Sequence, residues 1–331
     1  MISLARTAFS VIRMWLPNPC RHRKLIAIVI AIIVTSFAVV VVRLTTVPRF
    51  RHFEDVNLRD EILNLESRNH SDSAVIHSRP VVPRILHLAW YGNPTMRFHH
   101  YVSFLSAYHI LKPERILFWY GVRPSGAWWR RLRENITEFD RVVEMRYRAA
   151  PTEIHGRAIQ RPEHSSDVVR LEAILEYGGI YLDLDVIVLH SFDRLLRYSV
   201  TLGREHWFGL CNGILIARPN ALFMRIWRAE YRTFDSWRWA THSVVLPHYL
   251  ARRYPYLVHI EERTLNRPNW MELDKIYANA PWNWRENYAV HLWYRKYGID
   301  HDFDSIKNLD SNLGRIFRFI LYGDSDLFDR H

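Results

Sequence analysis

Asp183 and Asp185 stand two apart in the run from Ile180 to Leu189, IYLDLDVIVL, whose β-branched and aliphatic composition is that of a buried central strand. Side chains alternate along a strand, so both carboxylates should face one side while Leu182, Leu184 and Val186 face the other. An unpaired buried carboxylate would neutralise or destabilise the fold, which makes a cation the natural partner for such a pair. Hard oxygen ligands select magnesium or manganese, ions that keep coordination positions open for substrate phosphates. The ligand class this fits is a nucleotide diphosphate. Asp167 and Arg170, three apart on a helix, share one face and can reach toward one ligand. The rival reading is a solvated strand end beside an ordinary surface ion pair, because an isolated D-x-D is a weak signal.

The elements that must hold these residues follow from periodicity. Val168, Leu171, Ile174 and Leu175 recur at helical spacing, with Ser165 or Ser166 available as N-cap, and Gly178-Gly179 stops the helix before the acidic strand. Upstream, Pro83 to Trp90 reads as a first strand running into a loop at Tyr91 to Pro94, followed by a helix over Arg97 to Ile110, a strand over Arg115 to Tyr120 and a helix over Ala127 to Glu134. Downstream come a short helix at Ser191 to Tyr198, a buried strand at Phe208 to Ala217 and a helix from Pro219 to Tyr231. Strands alternating with helices predict an α/β domain with a mostly parallel central sheet flanked by helices. In such sheets ligands gather at the carboxyl ends of the strands, where the D-x-D stands.

Ser166-Asp167, Arg170, Leu175, Tyr177-Gly178-Gly179-Ile180-Tyr181 and Asp183-Leu184-Asp185 together resemble the signature of the glycosyltransferase family whose sugar-binding region contains a D-x-D motif. That family includes initiating mannosyltransferases of fungi and α-1,4-galactosyl- and N-acetylglucosaminyltransferases of animals. The resemblance implies a GT-A-like fold, Asp183 and Asp185 holding Mn2+ or Mg2+, and Asp167 and Arg170 touching the donor sugar. It extends to the opening Pro83-x-Ile85-x-His87-x-x-Trp90, where His87 and Trp90 would help build the nucleotide pocket, and to Asn212-Gly213 on a later strand, with Asn212 beside the donor. Tyr181 would lie beside the ribose or sugar, or in the core. Ala289-x-His291-x-Trp293 resembles a late element of the family and makes His291 the candidate third metal ligand. Retention of anomeric configuration is implied as well, without a residue that could be named as nucleophile. The segment from Asp235 to Asn269, rich in Trp, Tyr and His, departs most from the family pattern and reads as facing the acceptor, a glycan or glycolipid.

Composition bounds the rest. With 331 residues, 49% of them hydrophobic and 14% aromatic, the chain can bury a large core. Five of its eleven net positive charges come from Arg6, Arg13, Arg21, Arg23 and Lys24, and the remainder form no basic stripe interleaved with aromatics, which argues against nucleic acid as a partner. Leu25 to Val42 is an uncharged run long enough to cross a bilayer whose apolar core is roughly 30 Å thick. The organisation this predicts is a cytosolic tail (1–24), a signal-anchor helix (25–42), a lumenal stem (43–80), a catalytic domain (81–300) and an amphipathic C-terminal stretch (301–331), in a type II protein of the Golgi membrane. Asn69 and Asn135 begin N-x-[ST] sequons on the expected lumenal side. Cys20 and Cys211 would lie on opposite sides of the membrane, so no intrachain disulfide is expected. Two other classes compete. A haloacid-dehalogenase-type phosphatase also uses a D-x-D strand end but needs a later lysine and acidic pair that this chain does not evidently supply. A tethered glycan-binding protein would use the tryptophans for stacking and has no evident need of the two carboxylates.

Overall fold

The computed structural model describes residues 56–67 and 76–324. The run at 25–42 and Asn69 lie outside them, and no helix among the described residues is long and apolar enough to cross a membrane. In chain order the principal elements are α1 (Val56–Ser67), β1 (Ile85–Trp90), α2 (Phe98–Leu111), β2 (Arg115–Tyr120), α3 (Ala127–Asn135), β3 (Val143–Tyr147), α4 (Pro162–Tyr177), β4 (Gly179–Leu182), β5 (Val186–Val188), β6 (Val200–His206), β7 (Gly209–Ala217), α5 (Leu222–Glu230), α6 (Leu246–Arg253), β8 (His259–Glu261), β9 (Ala289–His291) and α7 (Asn312–Tyr322).

Seven strands form one sheet in the order β8-β6-β7-β4-β1-β2-β3. The pairs β1 with β2, β2 with β3, β1 with β4 and β6 with β8 are parallel, and only β7 runs against its neighbours. The sheet is therefore mostly parallel, as the alternating pattern predicts. Alternation on β1 divides its residues between two packing faces. Leu86, Leu88 and Trp90 join the main core, whereas His87 faces the small cluster of Leu117, Trp119, Val169 and Ala173, the last two from α4.

Three expectations change. The acidic run is two strands rather than one: β4 ends at Leu182, Asp183 to Asp185 make a turn closed by Val186 N–H donating to the Asp183 carbonyl (3.0 Å), and β5 pairs antiparallel with β9 in a separate two-stranded sheet. Apolar residues resume directly after the two aspartates, so composition alone joins the two strands. Helix α4 starts at Pro162, because proline suits a first helical turn. Ser165 lies inside the helix and donates to the Pro151 carbonyl at 2.8 Å instead of capping it. The stretch from Ser191 to Tyr198 forms only a 3-10 turn at Leu195–Arg197.

Within the segment read as a stem, α1 buries Leu58 and Ile62, and Glu61 pairs with Arg225 of α5 at 2.6 Å. At the other end of the chain α7 buries Leu313, Ile316 and Phe317 in the main core. The paired glycines after α4 are needed for space and for backbone conformation. Gly179 has φ +107°, and a Cβ there would stand 2.3 Å from the Ile85 carbonyl oxygen of β1.

Candidate active site

The turn after β4 is held from several sides. Asp183 N–H donates to the Gly213 carbonyl of β7 (2.8 Å), and Leu292 N–H donates to the Asp185 carbonyl (2.8 Å). Helix α2 braces β5 through two hydroxyls. Ser103 Oγ donates to the Val186 carbonyl (2.7 Å), and Ser106 Oγ accepts from Val188 N–H (3.0 Å). The D-x-D turn thus sits where β4, β7 and the β5–β9 pair meet.

His291, the last residue of β9, arrives beside this turn, with Nε2 3.1 Å from Asp185 Oδ1. One ligand atom each from Asp183, Asp185 and His291 all lie within 4.8 Å of one another. Two hard carboxylates and a neutral imidazole suit a magnesium- or manganese-sized ion, so the donor set fits the metal that the sequence implies. Gly213 makes the convergence possible, since a Cβ there would come within 2.9 Å of both Asp183 Oδ2 and His291 Cε1. With only protein groups around them, Asp185 and His291 behave as an ion pair. Burial alone would raise the Asp185 pKa, but His291 beside it holds it well below the usual carboxylate range; burial likewise opposes charge on His291, and Asp185 overrides it, raising the imidazole well above its ordinary value. Tyr294 N–H adds a 3.0 Å hydrogen bond to Asp185 Oδ2.

Behind the metal candidates lies a buried ionic cluster on α4 and β7. Arg170 is within 3.5 Å of Asp167 and 3.3 Å of Asp183, and it also donates to the Asn212 carbonyl at 2.8 Å. Asn212 Nδ2 donates to Asp167 Oδ1 at 2.6 Å. Burial raises the Asp167 pKa, and Arg170 and the Asn212 amide oppose the rise. Tyr181 supports this cluster from the core: its hydroxyl donates to Asp183 Oδ1 (2.8 Å) and the Arg170 guanidinium lies over its ring, 4.6 Å from the centroid.

Asp167, Arg170, Asp183, Asp185, Asn212 and His291 line one cleft of about 570 Å³. Tyr181, His87 and Trp90 are not among its lining residues. His87 is fully buried, with Nε2 2.8 Å from the Gly178 carbonyl and Nδ1 accepting from Trp119 Nε1 at 3.2 Å. Its expected place in a nucleotide pocket gives way to a place inside the sheet–helix interface, because β1 turns that face toward α4. Burial lowers its pKa to about 4. Trp90 packs edge-on against His100 in the main core, with centroids 4.9 Å apart.

The cleft also contains residues beyond the expected ligands. Glu205 on β6 accepts from Trp270 Nε1 at 2.9 Å, and burial raises its pKa. Cys211 Sγ lies 3.6 Å from His291 Nδ1 and accepts from Gly213 N–H at 3.3 Å. Burial pushes this thiol up to about 11. Trp293 stacks on His291 at 3.8 Å, and Trp239, Trp270 and Phe208 complete an aromatic wall. The signal that could have found Glu205 is the same one that marks Asp183, an acidic residue in a buried strand, but Arg204 and His206 beside it hide the strand.

Residues 127–201 match the family described as glycosyltransferase sugar-binding region containing DXD motif. This region contains Asp167, Arg170, Asp183 and Asp185 and stops short of Asn212 and His291. Over 211 residues the chain is 38% identical to glucan organizing enzyme 1 of Cryptococcus neoformans var. grubii, covering 59% of this chain and 56% of that one. It is 24% identical over 149 residues to lactosylceramide 4-alpha-galactosyltransferase of Mus musculus, covering 40% of this chain and 41% of that one. The chain thus spans about half or less of the length of these curated relatives. Among solved structures, the apo-form glycosyltransferase GlyE of Streptococcus pneumoniae TIGR4 superposes with a TM-score of 0.44 at 12% identity, over 73% of this chain and 61% of that one.

Proposed function

We propose, from the premise that residues 127–201 are the sugar-binding region of a DXD-containing glycosyltransferase, that the protein transfers a hexose or N-acetylhexosamine from a nucleotide diphosphate sugar to a glycan or glycolipid. The observation that carries the reading is the meeting of Asp183, Asp185 and His291 on one cleft beside Asp167, Arg170 and Asn212. A bound Mn2+ or Mg2+ would neutralise the charge that develops on the departing diphosphate. The chain's own groups divide the remaining work. Asp167, held by Asn212 and Arg170, presents a fixed carboxylate to sugar hydroxyls, and Arg170 keeps the cluster near neutrality so that an anionic donor can enter. Trp239 and Trp270 offer flat apolar faces for sugar rings.

A GT-A-like arrangement, retention of anomeric configuration, UDP as the favoured base with GDP-mannose as its rival, and a type II Golgi location with the catalytic domain in the lumen all belong to this proposal. The test is to incubate the full chain with a panel of nucleotide sugars, with and without manganese, and to measure nucleotide release. Manganese-dependent release from one donor is the expected result. Release of inorganic phosphate from simple monoesters, with no turnover of any nucleotide sugar with or without acceptor glycans, would overturn it.

A further inference from the structure

Three large apolar side chains that sugar transfer does not itself require stand exposed one or two residues from cleft-lining aromatics. Three separate loops carry them. The first is the turn between β6 and β7, where Trp207 is 79% exposed beside the cleft residue Phe208, their rings 4.4 Å apart. The second is the stretch after α5, where Trp237 is 78% exposed two residues from the cleft residue Trp239. The third carries Met271, 56% exposed and next to the cleft residue Trp270. Each of these exposed apolar side chains thus stands one or two residues from an aromatic residue of the cleft, and exposed apolar surface beside an opening marks a contact with another phase or partner. Tryptophan, with an apolar ring and one N–H donor, is the side chain that suits a membrane–water boundary.

Charge beside the same cleft is complementary to an anionic surface. Arg161 and Arg295 lie over the Trp239 ring (5.4 and 4.7 Å), and Lys296 lies over Trp270 (5.3 Å). All three cations are exposed; Glu163 pairs with Arg295, and Asp235, which accepts from Trp237 N–H, pairs with Arg238. These cations border the cleft indoles Trp239 and Trp270, where long basic side chains can meet lipid phosphates while the exposed indoles of Trp207 and Trp237 enter the headgroup level. The sequence adds a second argument: the uncharged run from Leu25 to Val42 is long enough to hold the chain at a bilayer.

We infer that the mouth of the cleft is a membrane-contact surface, which seats on a bilayer bearing anionic lipid through Trp207, Trp237 and Met271 and admits its acceptor from the lipid plane. The membrane contact stands apart from the glycosyl-transfer reading, because it concerns where the opening rests, whereas entry of the acceptor from the lipid plane rests on that reading.

The test uses the full chain in phosphatidylcholine vesicles with and without phosphatidylserine, with Cys20 and Cys211 replaced by serine and a nitroxide label placed in turn at positions 207, 237 and 147. Tyr147 is 69% exposed at the end of the edge strand β3 and serves as the aqueous control. Collision rates with oxygen and with a water-soluble nickel chelate then report depth. In vesicles containing phosphatidylserine, labels at 207 and 237 should show a higher oxygen-to-nickel ratio than the label at 147. Loss of that difference in pure phosphatidylcholine would assign the attraction to the cations, and its persistence would assign it to the apolar tips; both support the contact. Equal ratios at all three positions in both vesicle types overturn it. So does an aqueous ratio at 207 and 237 combined with slowed label motion when a soluble oligosaccharide is added, since that marks a rim built for sugar stacking alone.

Discussion

At the scale of single residues, the site separates groups that would touch the ion from groups that aim them. Asp185 spends one oxygen on His291 and the other on Tyr294 N–H, so its replacement removes a ligand and frees the imidazole at once. Asp185→Asn should lower manganese-dependent transfer by more than about 100-fold, since even partners one step removed from a metal are worth about 10- to 100-fold. It should also abolish the thermal shift produced by manganese, which for the unmodified protein approaches about 2.7 kcal/mol when the ion is a hundredfold above its dissociation constant. Near-normal turnover would sink the assignment. Cys211 tests the aiming group. With Nε2 given to the ion, Nδ1–H donates to Cys211 Sγ. Cys211→Ala should raise the manganese concentration for half-maximal activity by about tenfold with kcat at saturating metal little changed, and Cys211→Ser should restore most of the loss. The carboxylates were legible because a charge inside a buried strand needs an explanation. His87 was legible as a motif position but not as a place, since which face of β1 meets α4 is decided by the whole sheet.

Among the elements, the sequence marked long periodic segments well and short ones poorly. Helices α2, α3 and α4 and strands β1, β2 and β7 stand within a few residues of their expected bounds. Strands β6, β8 and β9 were not legible, because Arg204, Glu205 and His206 break the apolar run in β6 and the other two have three residues each. The break after β4 depends on β9, which follows roughly a hundred residues later and leaves no mark on the local pattern. What positions the turn more strictly is glycine. A methyl group at Gly179 would collide with β1 backbone, and its φ of +107° is costly for any other residue. Gly179→Ala should therefore destabilise the fold by more than ~2 kcal/mol, read as a lower urea midpoint with an unchanged slope.

For the molecule as a whole, acid is the condition that separates folded from unfolded chains. His87 is buried and neutral, with its pKa lowered from 6.5 to about 4 by burial. The unfolded chain therefore takes up a proton below pH 6.5 that the folded chain refuses until about pH 4, and stability falls as pH drops through that window. This one side chain accounts for about 3 kcal/mol by pH 4, and burial lowers the pKa of His242 to about 4 in the same direction. Denaturant midpoints measured from pH 7 to pH 4.5 should decline. In His87→Gln the decline should be shallower, although its stability at pH 7 is lower; an identical slope would refute the assignment.

The carboxylates lie on the turn after β4, and the imidazole comes from β9 near the far end of the described chain. At synthesis rates of about 5–20 residues per second, several seconds separate the emergence of Asp185 from that of His291. A growing polypeptide thus offers a passing cation two carboxylates and no nitrogen ligand. An ion held by these three groups would not be the template on which the domain forms, as structural zinc is for small fingers. It would enter a finished fold, and which divalent ion filled the cleft would be set by the supply around the folded protein.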